Sequence, residues 1–221
     1  MRRSTAPART ADAVAASPVR IALPKGRLLE ALAPLLAAAG LPTRALASPG
    51  RRLVHDDPEG AVRYFLLKPD DVPTYVEHGA CDVGVVGRDV LLERGHDLYC
   101  PLDLGIGRCR IVLAGPRGRA LPTQPRIATK YVNVAQQHFA ARGVPAHFVP
   151  LSGSVEIAPG SGLADAVVDI VETGETLRQH HLDELETLCE ITAVLVVNRT
   201  ALKLRKDRIA PLVARLRAAV S

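Results

Sequence analysis

From Val19 onward, apolar runs of strand length alternate with apolar residues spaced for one helix face, and this alternation leaves few folds open. Val19-Arg-Ile-Ala-Leu23 reads as a buried strand. Leu28, Leu29, Leu32, Leu35, Leu36 and Ala39 then recur at helical spacing and stop at Gly40. Arg63 to Leu67 is a short strand, and Asp71 is a good N-cap for a helix with Pro73 in its first turn, running to Gly79. Asp82-Val-Gly-Val-Val-Gly87 is apolar and too glycine-rich for a helix. A second set starts with the strand Ile111 to Ala114. It continues through the strand Arg126 to Thr129, a helix from Val134 to Arg142 closed by Gly143, and the strand His147 to Leu151. A helix near Gly162 to Ala164 then leads into the strand Ala166 to Val171. A helix carrying His180-His181 follows, then one long strand from Ile191 to Val197, then helix from Thr200 interrupted near Pro211.

Strand–helix alternation predicts an α/β protein with mainly parallel sheets. The chain has 221 residues, enough for two small lobes. Gly105 to Arg110 punctuates it, and Ile191 to Val197 leads back. The expected division is residues 19–108 plus 196–221 as lobe I and 109–195 as lobe II, joined by two crossings. A cleft between such lobes is a default ligand site. Residues 1–18 read as a disordered N-terminal extension; their Ala, Arg, Ser and Thr would also suit a transit peptide, but they lack a secretory apolar stretch.

Composition narrows the function classes. Hydrophobic residues make up 48% and aromatics only 3%, so the core must be Leu, Val, Ile and Ala, the palette of helix-covered parallel sheets. The net charge of +5 fits either nucleic acid or a small polyanion. The scarcity of stacking aromatics argues against nucleic acid. No apolar run reaches the roughly 18 residues of a membrane span. Cys81, Cys100, Cys109 and Cys189 form no CxxC, and the seven histidines show no ligand spacing, so no metal site held by the protein is expected. Scattered single cysteines suit a reducing cytoplasm.

Two segments carry chemistry. Ala166-Val-Val-Asp-Ile-Val-Glu-Thr-Gly-Glu-Thr-Leu177 takes an apolar strand through Glu172-Thr-Gly-Glu-Thr176 into a helix. Such a junction gathers backbone N–H groups at one point, where Gly174 permits close approach and Thr173 and Thr176 add hydroxyls. Asp169 lies upstream, within reach of ribose hydroxyls. The same residues also fit a capping box, Thr176 with Gln179, which would merely start a helix. Glu172 and Glu175 would have to turn their carboxylates away from a phosphate or lie near magnesium. In Leu23-Pro-Lys-Gly-Arg27, Lys25 and Arg27 flank Gly26 at a helix N-terminus, where cations are unfavourable unless an anion joins them. A polyanion resolves the mismatch, and two solvated loop charges are the plainer account. Arg51-Arg52 follows Pro49-Gly50 in a loop, and alone says little. No Ser or Cys occupies a nucleophile elbow, which disfavours covalent catalysis.

The chain resembles the ATP phosphoribosyltransferase family, short form. The resemblance runs through Ile21-Ala-Leu-Pro-Lys-Gly-Arg-Leu-Leu29, Asp71-Val-Pro-Thr-Tyr-Val-Glu77, Asp82 through Leu92, Arg126-Ile-Ala-Thr-Lys-Tyr131, Gly153-Ser-Val-Glu156 and Leu163 through Leu177. It implies a fold similar to type II periplasmic binding proteins, with ATP and phosphoribosyl pyrophosphate meeting in the cleft. The reaction would be displacement of pyrophosphate at the ribose anomeric carbon by N1 of the adenine, the first step of histidine biosynthesis. By the same resemblance, Asp169, Glu172, Thr173, Gly174, Glu175 and Thr176 hold the ribose 5-phosphate end. Lys25, Gly26 and Arg27 face pyrophosphate and the ATP phosphates, and Arg27 and Arg51 are the catalytic cations. Mg2+ rides on the substrates. The implied assembly is a cytoplasmic homodimer joined to a regulatory subunit similar to histidyl-tRNA synthetase. The rival is a two-lobed cytosolic binding protein for a phosphorylated small molecule, using the same loops without chemistry.

Overall fold

The computed structural model describes residues 17–46 and 50–220; apart from Ser17 and Pro18, the expected N-terminal extension lies outside them. The chain divides into two compact units. Unit 1 comprises the described parts of Met1–Val86, His96–Ile106 and Ala193–Ser221, and unit 2 comprises Gly87–Gly95 and Gly107–Thr192.

Unit 1 is built on a six-stranded sheet. Its strands are β1 (Val19–Pro24), β2 (Val54–Asp56), β3 (Val62–Leu67), β4 (Val83–Gly87), β5 (Tyr99–Asp103) and β11 (Ala193–Val197), in the order β2-β3-β1-β4-β11-β5. β1 runs parallel to β3 and β4, while β2 and β5 pair antiparallel with β3 and β11 at the two edges. The central strands read as continuous apolar runs because both faces are covered. Helix α1 (Arg27–Ala38) lays Leu29, Leu32 and Leu36 on one side of the sheet. Helix α2 (Val72–Glu77) buries Val72 and Val76 close to Gly84 of β4, where an added Cβ would sit 2.8 Å from Val76. Asp71 stands at the α2 N-cap position but makes no side-chain cap bond.

The C-terminal helices are α6 (Arg199–Leu204) and α7 (Lys206–Val220). The interruption falls at Arg205, not at Pro211, which lies inside α7. Arg205 leaves the helical path with its side chain 1% exposed and donates to the fully buried carboxylate of Asp82 at 2.5 Å. Arg20 donates to the same carboxylate from its backbone N–H at 2.8 Å and from its guanidinium at 2.6 Å. Two arginines and one acid therefore tie β1, the start of β4 and the C-terminal helices together.

Unit 2 holds a five-stranded sheet of β6 (Cys109–Pro116), β7 (Arg126–Thr129), β8 (His147–Pro150), β9 (Ala166–Val171) and β10 (Leu182–Ile191), in the order β10-β6-β9-β7-β8. β7 is parallel to β8 and β9, whereas β6 and β10 extend the sheet antiparallel. Helix α3 (Arg88–Arg94), which follows β4 directly, belongs to this unit. Its Asp89 accepts from the buried Tyr131 hydroxyl at 3.0 Å. Glu93 accepts from the Asn133 backbone at 3.0 Å, capping helix α4 (Val132–Ala141). These bonds are why residues 87–95, read from sequence with lobe I, cluster with unit 2, and why the chain passes between units more than twice.

Three local expectations are corrected. Gly162 to Ala164 is not helical; a 3-10 turn at Val155–Ile157 and further turns precede β9. The helix after the glycine loop, α5 (Glu175–Gln179), ends before His181, whose φ of 56° starts a new direction. Ile191 to Val197 is not one strand, because β10 ends at Ile191 in one sheet and β11 begins at Ala193 in the other. The ten-residue strand β10 goes unrecognised in sequence for a physical reason. Register shifts between Glu184 and Glu186 and between Thr187 and Cys189 break its alternation, leaving Leu182, Leu185 and Leu188 at a spacing of three, which mimics a helix.

Candidate active site

In unit 1, β1 ends at Pro24 and α1 begins at Arg27, so Lys25 and Gly26 form the junction. Gly26 has φ 84° and ψ −156°, a conformation that only glycine adopts cheaply, and nothing lies within 4 Å of where its Cβ would be. Lys25 is anchored through its backbone N–H to the Leu67 carbonyl at 2.9 Å, which leaves its exposed side chain at the strand end. A cavity of about 740 Å³ opens here, lined by Lys25, Gly26, Glu30, Arg51 and Arg52 together with the apolar Leu29, Ala33, Leu46, Leu53 and Leu66. A lining that mixes apolar side chains with a few cations suits a ligand with a flat base and a charged tail. The structure thus brings Arg51 to Lys25 and Gly26, and adds Arg52. Arg27 is exposed at the first position of α1 and is not among the residues lining this cavity. Glu30, one turn into α1, is an acid among the lining residues that the sequence reading missed.

In unit 2, β9 delivers Asp169 and then the turn Glu172-Thr173-Gly174 into α5. Gly174 is the N-cap, with φ 77°. Thr176 therefore lies inside the helix, and the capping box of Thr176 and Gln179 does not form; Gln179 donates instead to Glu175 at 3.3 Å. α5 has only five residues, so its dipole is small and any anion must be held mainly by the turn's own N–H groups. Glu172, Thr173, Glu175 and Thr176 are exposed, and Gly174 is buried. Glu175 is turned away onto Arg178 at 2.7 Å, a pairing that holds its carboxyl below the usual range.

Asp169 is half-buried, and burial lifts its carboxyl above the ordinary carboxylate range. A bond from the Ile170 backbone and the charge of Lys130 work the other way, while Glu156 adds to the rise. Lys130 and Glu156 are thus close enough to act on Asp169, and neither was chosen from sequence. Beneath them, Thr129 donates to the Val168 carbonyl at 2.6 Å and accepts from the Tyr131 backbone at 2.8 Å. This buried chain ties the end of β7 to the middle of β9. Glu156 follows Ser154, a non-glycine residue at φ 51°. Strain of that kind clusters at functional sites and has no signature in the residue itself.

The family model described as HisG: ATP phosphoribosyltransferase matches residues 68–218. The ATP phosphoribosyltransferase of Sorangium cellulosum (strain So ce56) is 58% identical over 204 residues, covering 92% of this chain and 97% of that protein. The enzyme of the same name from Anaeromyxobacter sp. (strain K) is 52% identical over 207 residues, covering 92% and 94%. This chain belongs to the ATP phosphoribosyltransferase family. Among solved structures, the ATP phosphoribosyl transferase (HisG:HisZ) complex from Thermotoga maritima superposes with a TM-score of 0.80 at 35% identity, over 91% of this chain and 98% of that one. The alkanesulfonate-binding protein SsuA from Xanthomonas axonopodis pv. citri, at 17% identity and a TM-score of 0.55, shares the two-lobed binding-protein fold alone. No helix among the described residues is long and apolar enough to cross a membrane.

Within the ATP phosphoribosyltransferase family, Asp169 offers a test that separates binding from folding. Its raised carboxyl means that the ionised form is penalised in the folded state relative to the unfolded one. That penalty is absent below the ordinary carboxylate range and complete once pH exceeds the raised folded value. Asp169→Asn should therefore melt higher than the parent at neutral pH, by roughly 2–4 °C per kcal/mol relieved, and lose the difference in acid. If Asp169 also accepts from the substrate's ribose hydroxyls, the kcat/KM for phosphoribosyl pyrophosphate should fall roughly tenfold or more in the same variant. A variant melting lower at pH 7.5, measured by calorimetry, contradicts this account of Asp169.

Proposed function

We propose that Lys25, Gly26, Arg27 and Arg51 serve the ATP and pyrophosphate end of the reaction, and that Asp169 with Glu172 through Thr176 serves the ribose 5-phosphate end. The chemistry is that of an ATP phosphoribosyltransferase. The lone pair of adenine N1 forms a bond to the ribose anomeric carbon while the bond from that carbon to pyrophosphate breaks. The products are N1-phosphoribosyl-ATP and pyrophosphate, the opening step of histidine biosynthesis. The transition state puts positive charge on the ribose and negative charge on the departing pyrophosphate. It needs alignment and charge stabilisation rather than a protein nucleophile. Lys25 supplies a point charge and Arg51 a planar fork for phosphate oxygens. Asp169 accepts from ribose hydroxyls and places a carboxylate near the developing oxocarbenium ion. Mg2+ enters with the substrate phosphates, and the setting is the cytoplasm.

The observation that carries this reading is the unit 1 cavity, where Lys25, Gly26 and Arg51 meet apolar walls in a chain of this family. Incubation with ATP, phosphoribosyl pyrophosphate and Mg2+ should yield the ultraviolet-absorbing adduct. Arg51→Ala should lose roughly ten- to a hundredfold in kcat/KM, the loss expected when charge-assisted bonds to a phosphate disappear. Arg51→Lys should recover part of it. An Arg51→Ala enzyme with parental kinetics would take that arginine out of the site.

The Thermotoga maritima structure is a HisG:HisZ complex, and we propose a matching arrangement: a homodimer joined to a regulatory subunit similar to histidyl-tRNA synthetase. Histidine inhibition should then arrive through that subunit. Titrating histidine with and without the partner tests this. Strong inhibition of the isolated chain at a separate histidine site contradicts it.

A further inference from the structure

We infer that Arg110 and Glu184 are a positioning pair for the glycine loop, holding its peptide planes and keeping a neighbouring carboxylate from repelling the phosphate it receives. The inference rests on the loop reading just proposed and gives that loop a support of its own. Arg110 lies on β6, opposite Glu190 of β10 in the strand register. Its guanidinium nonetheless forks onto both oxygens of Glu184, six residues back along β10, at 3.1 and 2.5 Å. The third nitrogen of the same guanidinium reaches the Glu172 carbonyl at 3.4 Å. Arg178, from α5 itself, reaches the Thr173 carbonyl, also at 3.4 Å. Two successive carbonyls ahead of Gly174 are therefore held by guanidinium groups, and this limits how far the turn can rotate away from a ligand.

The second half of the inference is electrostatic. A Cβ built on Gly174 would lie 3.2 Å from Glu184 Oε1, so this carboxylate touches the loop where an anion is to bind. Left bare, it would oppose a phosphate; bonded at both oxygens to Arg110, its charge is neutralised at the loop. Both side chains are about 30% exposed, so the pair itself adds little to folding stability.

Arg110→Met removes the carbonyl contact and bares Glu184. The KM for phosphoribosyl pyrophosphate should rise roughly tenfold, with the KM for ATP changed less than about twofold and the melting temperature nearly unmoved. Arg110→Lys, which keeps the charge but not the fork, should fall between. Adding Glu184→Gln to Arg110→Met should recover part of the lost affinity, because the repelling charge is gone; a merely structural pair predicts no such recovery. If Arg110→Met moves both KM values alike, or neither, the inference is overturned. Gly174→Val distinguishes the two possible failures. If Gly174→Val raises the phosphoribosyl pyrophosphate KM and Arg110→Met does not, the pair has no positioning role while the loop reading stands. If neither moves it, the loop is not the binding site and the inference falls with it.

Discussion

Asp82→Ala should lower the stability of the chain by about 3–5 kcal/mol, the usual result of removing one partner from a buried ion pair. Asp82 is 0% exposed and accepts from Arg205, which is 1% exposed, and from both the backbone and side chain of Arg20. Arg205 Nε already lacks a partner among the described residues. Without Asp82 the Arg205 guanidinium would keep chiefly its bond to the Ser17 carbonyl, and a full positive charge would stay buried. The melting temperature should drop by about 10 °C or more for a chain of this length. Arg205→Met makes the informative contrast. It removes the buried cation while Asp82 retains Arg20, and the methionine stem fills much of the same volume. It should therefore cost clearly less than Asp82→Ala. Thermal unfolding of both variants checks this, and equal losses, or an Asp82→Ala variant within about 1 kcal/mol of the parent, would refute the charge argument.

Gly174→Val should abolish use of phosphoribosyl pyrophosphate, or raise its KM by well over tenfold, with secondary structure preserved. Two independent facts set this expectation. The backbone at Gly174 sits at φ 77°, where a β-branched residue is strained by about 1–2 kcal/mol. The new Cβ would also press on Glu184 Oε1 at 3.2 Å, which must give by a few tenths of an ångström, while Arg178 Nη1 at 3.6 Å would be in ordinary contact. Relieving the strained φ moves the turn, and with it the N–H groups proposed to hold the phosphate. Gly174→Ala carries the φ penalty with less bulk and should lie between parent and valine variant. The decisive measurement is the ratio of KM values for the two substrates. ATP is served from unit 1 in the reading proposed, so its KM should hold. A valine variant with an unchanged phosphoribosyl pyrophosphate KM would remove the loop from the site, and circular dichroism excludes global unfolding as the cause of a loss.

The division between what was legible in sequence and what was not follows from the range of the forces involved. Strands β1, β4, β7 and β9 and helices α1 and α4 were readable because a side chain's face is set by local geometry, so burial prints a period of two or 3.6 on neighbouring residues. The two chemistry-bearing junctions were readable for the same reason. Glycine at a strand end, with cations in one case and threonines in the other, marks a strand–helix junction within five residues, and the structure has one at each place. By itself, then, the sequence determined most of the strand–helix order and the position of the two glycine junctions on which the proposed chemistry rests. Everything that depended on which distant residues meet was decided by tertiary structure. Nothing near Arg51 says that it will share a cavity with Lys25, and nothing near Arg205 says that its helix must break to reach an acid 123 residues away. β10 was hidden because two bulges give its leucines a helical spacing, and α3 joins unit 2 through Asp89 and Tyr131, 42 residues apart. Such contacts are selected by the burial of charge and by the closure of sheets. Those energies belong to the folded chain as a whole and leave no periodic trace in any one segment.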